Sequence, residues 1–337
     1  MKNIEILRNK VNKINEDIVN LLIERKTITD ELIQEKIDNH LPVLDTKREN
    51  EIIEYFIEHK KELNPAFIKK IFNLIFEEAK RRYYKLEQLD SIEAYLKRKP
   101  ILIAGPCVVE SLEQISNIAN LLSKYGIKFL RGGAFKPRTS PNSFQGLGDL
   151  GVELLYKAAR ANNMFTVTEV LESEQLERNY DFIDVVQIGA RSMTSYGLLK
   201  SVGYLTAKTK KVVLLKRGLS ATLSEFLQAA EYILQAGNPN VVLCLRGIRT
   251  FEQIDSNLRF TPDLASILEL KEKTGLPVIF DPSHSGGCSD YVINISNAAL
   301  QLGADGLMVE THDRPLESKV DAHQAIHPDK ILDIINL

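Results

Sequence analysis

The chain has 337 residues, a formal net charge of -2 and three unevenly spaced cysteines. This length leaves room for one large α/β domain plus an appendage, and the near-neutral charge argues against a nucleic-acid surface as the main function. The cysteines provide no disulfide framework, no apolar run approaches the roughly 18 residues of a membrane helix, and Glu5 in the N-terminal segment is unlike a signal peptide. We therefore expect a cytoplasmic globular protein with no membrane or nucleic-acid partner.

The first forty residues have the pattern of one long helix. Apolar residues recur every three or four positions from Ile4 to Leu32, and neither Gly nor Pro occurs before Pro42. Position 25 of this apolar stripe is Arg25 instead of an aliphatic residue. The pattern predicts an amphipathic helix that is broken at Pro42.

Two further helices are predicted in the next fifty residues. The second begins near Asp45 and runs to about Leu63. The third begins at Pro65, because Asn64 is a favourable N-cap and Pro is common at the first helical position. The polar residues after it are predicted to continue this helix and then connect to the next domain.

Charged residues on these helices share faces. Arg25 and Lys36 are eleven residues apart, so they lie on one helix face about 16 Å apart. Asp45, Arg48 and Glu49 have i, i+3 and i+4 spacing and face together. A solvated surface with a snorkelling Arg25 is the alternative, but the compatible phase of these charges favours a ligand site.

Arg8 has a different position on the first helix. It lies about 25 Å from Arg25 along the axis and roughly a quarter-turn off its face. It cannot contact the same small ligand from the same helix. It would reach the site of a partner chain if two such helices packed antiparallel.

This part of the chain resembles the chorismate mutase domain of the all-helical class. The matching residues, at the family's spacings, are Leu7-Arg8, Leu21-Leu22, Arg25, Lys36, Pro42-Val43, Asp45, Arg48 and Glu49. The resemblance implies an intertwined dimer in which Arg8 reaches the partner's site. It also implies rearrangement of chorismate to prephenate, with Arg25 and Lys36 as catalytic cations that hold the substrate in a reactive chair and stabilise its ether oxygen.

The resemblance places Tyr83 where the family usually has Gln or Glu opposite that oxygen. The implied chorismate or prephenate site is therefore formed by Arg8, Arg25, Lys36, Asp45, Arg48, Glu49 and Tyr83. A domain that mainly senses prephenate or chorismate as a feedback ligand, with little turnover, is the alternative hypothesis.

After Pro100 the pattern changes to alternating strands and helices. The candidate strands are 101–107, 128–134, 165–170, 184–189, 212–217, 241–246, 277–282 and 306–311. Eight apolar strands alternating with helices predict an α/β fold, a (β/α)8 TIM barrel. An open doubly wound sheet also alternates, but it normally has fewer strands, and no G-x-G-x-x-G follows the first one. The predicted domains are an all-α three-helix domain at 1–88, a linker at 89–99 and the barrel at 100–337.

Polar side chains occupy the ends of these strands, where a barrel has its active site. One set mixes thiol, imidazole and carboxylate groups: Cys107, His284, Glu310 and possibly Asp321. Such a set suits one divalent transition metal such as Mn, Fe, Co or Zn. Spacing alone leaves His312 and His323 open as alternatives to His284, and Cys107 is also compatible with a structural role.

The second set of strand-end residues is basic. It comprises Arg131, Lys136, Arg138, Arg191, Lys216 and Arg246. A near-neutral protein with six cations at one barrel mouth is suited to phosphate or carboxylate ligands. Thr139 and Ser140 add two hydroxyl groups beside two of these cations.

Residues 100–337 resemble 3-deoxy-D-arabino-heptulosonate-7-phosphate synthase of the type I-beta branch. The resemblance rests on A-G-P-C-V-V-E-S (104–111), G-G-A-F-K-P-R-T-S-P (132–141), Q-I-G-A-R (187–191), L-L-K-R-G (214–218), L-R-G-I-R-T (245–250), D-P-S-H-S-G-G (281–287) and V-E-T-H (309–312). The family's fourth metal ligand corresponds to Asp321. Leu245, Ser192 and Thr194 differ from the residues usual in this branch.

The resemblance implies a role for each strand-end residue. Phosphoenolpyruvate would be bound by Arg131, Lys136, Arg191, Lys216 and Arg246, and the phosphate of erythrose 4-phosphate by Arg138, Thr139 and Ser140. Lys136 and Glu169 would be catalytic, with Glu169 positioning a water molecule. The implied assembly is a homodimer or homotetramer.

Two alternatives to this function remain. The 3-deoxy-D-manno-octulosonate-8-phosphate synthases share the G-P-C start but have an Asn-containing loop where this chain has K-P-R-T-S. That loop contacts the aldehyde substrate, so its sequence here favours erythrose 4-phosphate. A non-enzymatic phosphosugar-binding scaffold would require a broken metal set, and the set is intact in the sequence.

Overall fold

The structure is a computed structural model, and it describes residues 2–38, 46–86, 92–137, 142–251 and 260–335. The chain divides into two compact units, Met1–Leu89 and Asp90–Leu337. Across the described ranges, no helix combines the length and the apolar character that crossing a membrane requires.

The described part of the first unit is helical. Its helices are α1 (Lys2–Asp38), α2 (Thr46–His59) and α3 (Pro65–Leu86). The side chains of Ile33, Ile53, Ile68 and Phe76 are buried, and the Phe56 and Phe72 rings stack with their centroids 4.9 Å apart. The predicted three-helix pattern is confirmed, although α2 ends before Leu63.

Two details of this unit follow from its sequence. Asn64 Oδ1 accepts a hydrogen bond from Ala66 N at 2.8 Å, so the predicted cap of α3 is present. Most apolar side chains of α1 are exposed in the single chain, including Leu7 at 54% and Leu21 at 63%. The apolar stripe of α1 is therefore largely exposed to solvent even though α1, α2 and α3 pack against one another.

The second unit begins with a short helix, α4 (Ile92–Lys97). The polar residues after the third helix were predicted to continue it and then to connect; α3 runs to Leu86, and the additional helix α4 was not predicted. The ring of Tyr95 packs edge-on against Phe165, with 5.6 Å between centroids. Packing against the barrel thus fixes a helix whose sequence has no wide apolar face.

Eight parallel strands form a closed barrel in chain order. They are β1 (Ile101–Gly105), β2 (Phe129–Arg131), β3 (Phe165–Glu169), β4 (Val185–Ile188), β5 (Val212–Lys216), β6 (Val241–Leu245), β7 (Val278–Phe280) and β8 (Gly306–Glu310). Strand β8 pairs with β1 from Ile101 opposite Gly306 to Gly105 opposite Glu310, which closes the sheet. The predicted TIM barrel is confirmed, but the predicted strands are too long by one to four residues.

Helices surround this barrel. They are α5 (Leu112–Lys124), α6 (Asp149–Ala161), α7 (Ser173–Arg178), α8 (Tyr196–Ala207), α9 (Leu223–Gln235), α10 (Ala265–Lys273), α11 (Pro282–Gly286), α12 (Ser289–Gln301) and α13 (Leu332–Ile335). Helix α9 begins with a capping box between Thr222 and Glu225. Apolar side chains between strands and helices form one continuous core.

Gly105 shapes the turn after the first strand. Its φ is 147°, and a Cβ atom there would lie 2.0 Å from the carbonyl oxygen of Arg131. No larger residue fits this approach of β1 to β2. The turn leads the chain to Cys107 at the mouth of the barrel.

Candidate active site

The carboxyl ends of the strands surround a cavity that opens to solvent. Most of its lining residues are polar or charged: Arg131, Lys136, Pro137, Glu169, Gln187, Gly189, Ala190, Arg191, Lys216, Arg246, His284 and Asp321. Because parallel strands all end at the same face of a barrel, residues that are far apart in sequence meet here. All five cations predicted for phosphoenolpyruvate line this one cavity.

The four predicted metal ligands lie together beside the cavity. One donor atom each from Cys107, His284, Glu310 and Asp321 falls within 4.8 Å of the others. Of the three histidines that the sequence left open, His284 belongs to this group. His323 is exposed, and the ring of His312 lies against Asp313 and near Glu110.

Neighbouring side chains orient these four residues. The carboxylate of Asp281 accepts from the backbone N of His284 at 2.9 Å and lies 2.8 Å from its Nδ1. This leaves Nε2 of His284 facing Glu310, at 3.3 Å from Oε1. The other carboxylate oxygen of Glu310 accepts from Nε2 of Gln324 at 2.6 Å.

Two of the cations predicted to bind substrate contact the four predicted metal ligands directly, and a third contacts Asp281, which is bonded to His284. Arg131 donates to Glu310 at 2.6 Å, and Nζ of Lys136 lies 3.2 Å from Sγ of Cys107. Lys216 forms a short ion pair with Asp281, the residue that orients His284. The two sets that the sequence separates by chemistry therefore form one charge network.

This network sets the protonation of its members. Burial by itself raises the pKa of Glu310, but His284 and Arg131 outweigh it and lower that pKa to about 2. Burial, and then the Glu310 charge, raise the pKa of the Cys107 thiol to about 12. Burial lowers the pKa of Lys136, but Cys107 and Glu169 more than compensate and the net shift is upward. Glu310 is thus a carboxylate and Lys136 a cation at neutral pH.

The donor set fits a divalent transition metal. A thiol, an imidazole and two carboxylates converge on one point, and the imidazole has a carboxylate behind its other nitrogen, as metal-binding histidines commonly do. The thiol has to lose its proton to serve as a ligand. Lys136, whose Nζ donates to Sγ of Cys107, is placed to stabilise the thiolate.

The remaining cavity residues come from three other strands. Arg191 Nη1 donates to the Pro137 carbonyl at 3.4 Å, and the guanidinium of Arg246 lies 4.3 Å from the Phe260 ring centroid. Gln187 Nε2 donates to Glu169 Oε2 at 3.2 Å. A Cβ atom on Gly189 would lie 1.8 Å from Oε1 of Glu169, so the glycine provides the space that this carboxylate occupies.

The structure does not describe some of the residues that the sequence analysis predicts for the two sites. Arg138, Thr139 and Ser140 lie outside the described residues, as does Asp45. Tyr83 belongs to α3, but its side chain is also outside the description.

The other residues predicted for the helical domain lie on α1 and α2. Arg8, Arg25 and Lys36 are on α1, and Arg48 and Glu49 are in the first turns of α2. Arg25 is half-buried with its guanidinium 5.7 Å from the centroid of the Phe76 ring, whereas Arg8 is exposed. An exposed ion pair joins Arg48 to Glu51 at 3.2 Å.

Sequence reasoning missed three polar residues of the cavity region: Gln187, Asp281 and Gln324. Two of them gave a signal, because Gln187 interrupts the apolar run of β4 and Asp281 follows directly on β7. Gln324 gave none, since it contacts Glu310 only through the return of a long loop.

Two sequence profiles match the chain. That of the DAHP synthetase I family matches residues 88–336, and that of chorismate mutase type II matches residues 7–84. The chain is 46% identical over 225 residues to a phospho-2-dehydro-3-deoxyheptonate aldolase of Thermotoga maritima, which covers 67% of this chain and 64% of that protein. It therefore spans slightly less than two thirds of that relative's length.

A second relative and two solved structures extend the comparison. A 2-dehydro-3-deoxyphosphooctonate aldolase of Francisella tularensis subsp. holarctica is 31% identical over 255 residues, covering 70% of this chain and 89% of that protein. A crystal structure of the Thermotoga maritima phospho-2-dehydro-3-deoxyheptonate aldolase has a TM-score of 0.65 at 42% identity, covering 70% of this chain and 66% of that one. A truncated form of 3-deoxy-D-arabino-heptulosonate 7-phosphate synthase from Thermotoga maritima has a TM-score of 0.62 at 40% identity, with 70% and 83% covered.

Proposed function

The chain belongs to the DAHP synthetase I family, and we propose that its barrel condenses phosphoenolpyruvate with erythrose 4-phosphate. The products are 3-deoxy-D-arabino-heptulosonate 7-phosphate and inorganic phosphate. The observation that carries the proposal is the cavity lined by five cations, with the thiol, imidazole and carboxylate group directly beside it.

A divalent metal is part of the proposal. Cys107, His284, Glu310 and Asp321 would hold it, and the mixed donor set favours Mn, Fe, Co or Zn over Mg or Ca. When bound, it would act as a Lewis acid that polarises the aldehyde of erythrose 4-phosphate.

The cations of the cavity would bind phosphoenolpyruvate. Its phosphate and carboxylate together carry more than two negative charges, and Arg131, Lys136, Arg191, Lys216 and Arg246 line the space where they would lie. Arg131 and Lys216 are buried and already held by carboxylates, so the site needs little rearrangement to receive its ligand. These cations would fix the enol carbon next to the aldehyde carbon.

The bond changes follow from that placement. The enol carbon attacks the aldehyde carbon, water adds to the resulting cationic carbon, and phosphate leaves with cleavage of its C–O bond. Glu169, held by Gln187 and exposed to the cavity, would orient the water. The Arg138, Thr139 and Ser140 segment would hold the phosphate of erythrose 4-phosphate.

The octulosonate reaction is the second candidate, since the Francisella relative is an aldolase of that class. It would use arabinose 5-phosphate in place of erythrose 4-phosphate. The K-P-R-T-S sequence at 136–140 and the lower identity of that relative favour the first candidate.

An assay with both aldehydes tests the proposal. The intact protein with added Mn²⁺ should consume phosphoenolpyruvate with erythrose 4-phosphate and far more slowly with arabinose 5-phosphate. The variant Arg191→Ala should raise the KM for phosphoenolpyruvate. Arg191 is an exposed residue of the cavity, and replacing it removes one charge-assisted contact to the substrate. Arg178→Ala, a surface control paired with Asp149, should not change KM. Consumption with arabinose 5-phosphate alone would replace the first candidate by the second.

For the helical unit we propose binding of chorismate and its rearrangement to prephenate. The match to chorismate mutase type II and the half-buried Arg25 support a binding site there. The exposed apolar stripe of α1 supports an intertwined homodimer, or a homotetramer containing it, in which Arg8 serves the partner's site. Feedback by prephenate or chorismate on the barrel is the alternative use of the same site.

Chorismate consumption by the intact protein and by Arg25→Ala separates these uses. Turnover that is lost in the variant would support a mutase. Absence of turnover, with synthase activity inhibited by chorismate or prephenate only in the unsubstituted protein, would support a sensor. Equal turnover in both proteins would contradict the proposed site.

A further inference from the structure

The loop that carries Asp321 leaves β8 and returns to it. His312 N donates to the Ile326 carbonyl at 3.0 Å, and Ile326 N donates to the Glu310 carbonyl at 3.0 Å. These two bonds fix the two ends of the loop. Asp321 lies five residues before Ile326, so the bonds do not fix its side chain directly. Cys107 Sγ donates to Oδ2 of Asp321 at 3.3 Å, and further contacts hold the backbone of the loop on the N-terminal side of Asp321.

The backbone at Asp321 is unusual. Its φ of 54° and ψ of 38° are left-handed, a region that is uncommon outside glycine but that Asp enters more readily than most residues. A residue persists there only where its surroundings determine the conformation. Val320 contributes by packing in a small buried cluster with Cys107 and Val108.

Glu110 provides the polar contact that the loop needs. It lies three residues after Cys107, and its Oε1 accepts from the backbone N of Lys319 at 2.8 Å, two residues before Asp321. The backbone of Glu110 is itself fixed, because its N donates to Oε1 of Gln114 at 3.1 Å. One side chain therefore connects the loop of Cys107 to the loop of Asp321.

His312 backs this carboxylate. Its ring is buried, and Nδ1 accepts from the backbone N of Arg314 at 3.0 Å. Nε2 faces Oε1 of Glu110 at 4.0 Å. The buried imidazole thus lies next to the carboxylate of Glu110 without a hydrogen bond to it.

We propose that Glu110 is a positioning residue for the metal site, and that its bond to Lys319 N holds Asp321 in the left-handed conformation needed for ligation. This inference rests on the metal centre proposed above. Glu110 itself does not contact the metal in this account. Without its carboxylate, the Asp321 loop can relax toward an ordinary conformation and withdraw one ligand while Cys107, His284 and Glu310 stay in place.

Metal affinity is the readout that tests this. The metal-free intact protein is titrated with Co²⁺ against a competing chelator, and the thiolate and d–d absorption bands are recorded. Glu110→Ala should weaken Co²⁺ binding by about 10- to 100-fold, the usual effect of losing an outer-shell partner, with altered d–d bands and a retained thiolate band. Glu110→Asp, which keeps the charge but is one methylene too short to reach Lys319 N, should also weaken binding.

Two controls separate positioning from general damage. Glu110→Gln keeps an oxygen acceptor of the same reach and should bind Co²⁺ more tightly than the Ala and Asp variants. Lys319→Ala keeps the backbone N–H, and the Lys319 side chain lies over the Phe144 ring instead, so Co²⁺ affinity should not change.

Unchanged Co²⁺ affinity and spectra in Glu110→Ala and Glu110→Asp would overturn the inference. If Glu110→Ala does not fold, the Asp variant decides alone. Cys107→Ser is measured in parallel: if it weakens Co²⁺ binding while the Glu110 variants do not, the metal centre stands and only the role of Glu110 fails. If Cys107→Ser also has no effect, the proposed metal centre itself is wrong.

Discussion

The guanidinium of Arg131 donates to the carboxylate of Glu310 across 2.6 Å, and both side chains are buried. Arg131 is proposed to bind phosphoenolpyruvate and Glu310 to bind the metal. This ion pair would therefore connect the proposed phosphoenolpyruvate site directly to the proposed metal site.

Arg131→Ala should strongly destabilise the metal-free protein. The substitution leaves the buried carboxylate of Glu310 with one fewer cation, and breaking a buried ion pair costs roughly 3–5 kcal/mol. Chemical denaturation measures the free energy of unfolding. Arg178→Ala, which breaks an exposed pair with Asp149, is the control and should cost less than about 1 kcal/mol. Similar small losses in both variants would show that the Arg131 pair is no more important than a surface pair.

Gly189→Ala should reduce the synthase kcat by an amount on the order of 100-fold. The new Cβ would overlap Oε1 of Glu169 and displace that carboxylate, and displacements of about 1 Å at an active site can have effects of this size. Gly197→Ala is the matched control, because a Cβ there has no neighbour within 4 Å. Steady-state kinetics decide the point: a kcat in Gly189→Ala equal to that of the control would remove Glu169 from the proposed mechanism.

Cys107→Ser should lose bound metal while Cys288→Ser keeps it. Only Cys107 of these two belongs to the four-residue donor group, and a serine hydroxyl is a much weaker ligand for a transition metal. Metal content per chain after dialysis is measured by elemental analysis. An equal metal content per chain in the two variants would show that Cys107 is not a ligand of the metal.

Asp305, at the end of the barrel opposite the cavity, should make the free energy of unfolding depend on pH. The buried carboxylate of Asp305 accepts from Lys271 at 2.7 Å and from the backbone N of Val278 at 2.8 Å, and it forms a short ion pair with Lys99. Burial raises the pKa of Asp305, but the bonds from Lys271 and Lys99 outweigh it and the net shift is below the ordinary value of 3.8. A depressed pKa means that the carboxylate stabilises the folded state above that value and that this stability is lost as the pH falls through the folded-state pKa.

Asp305→Asn should therefore lower the free energy of unfolding by about 2–3 kcal/mol at neutral pH, in the range of charged hydrogen bonds. The difference from the unsubstituted protein should shrink below about pH 4, where carboxylates become protonated. Denaturation curves at several pH values measure both effects. A difference that stays constant down to acid pH would exclude the charge of Asp305 as its cause.

Much of the barrel was predictable because its strands are short apolar runs that end at polar residues. The prediction for β2 extended to residue 134, whereas the strand ends at Arg131. After Arg131, Gly132 N still donates to the Val167 carbonyl of β3, but Gly133 bonds to the loop after β1, through Cys107 O and Val109 N. Apolar character continues past a strand end when the following loop is also buried, so composition does not mark the boundary.

The network around the donor group was less accessible to sequence reasoning. The strand-end argument brings Cys107, His284 and Glu310 to one mouth, but it does not say which cation pairs with which ligand. The Lys216–Asp281 and Arg131–Glu310 pairs join strands whose side chains meet only after the barrel closes. Glu110 and Gln324 depend in addition on the path of a loop, which has no periodicity to predict it.

The barrel mouth is proposed to join the enol carbon of phosphoenolpyruvate to the aldehyde carbon of erythrose 4-phosphate, with cleavage of the C–O bond to the phosphate. The most direct test uses the intact protein, Mn²⁺, erythrose 4-phosphate and phosphoenolpyruvate that carries oxygen-18 at its bridging C–O–P oxygen. Mass spectrometry should find a seven-carbon sugar phosphate and all of the label in the released phosphate. Label retained in the organic product, or the absence of a seven-carbon product, would contradict the claim.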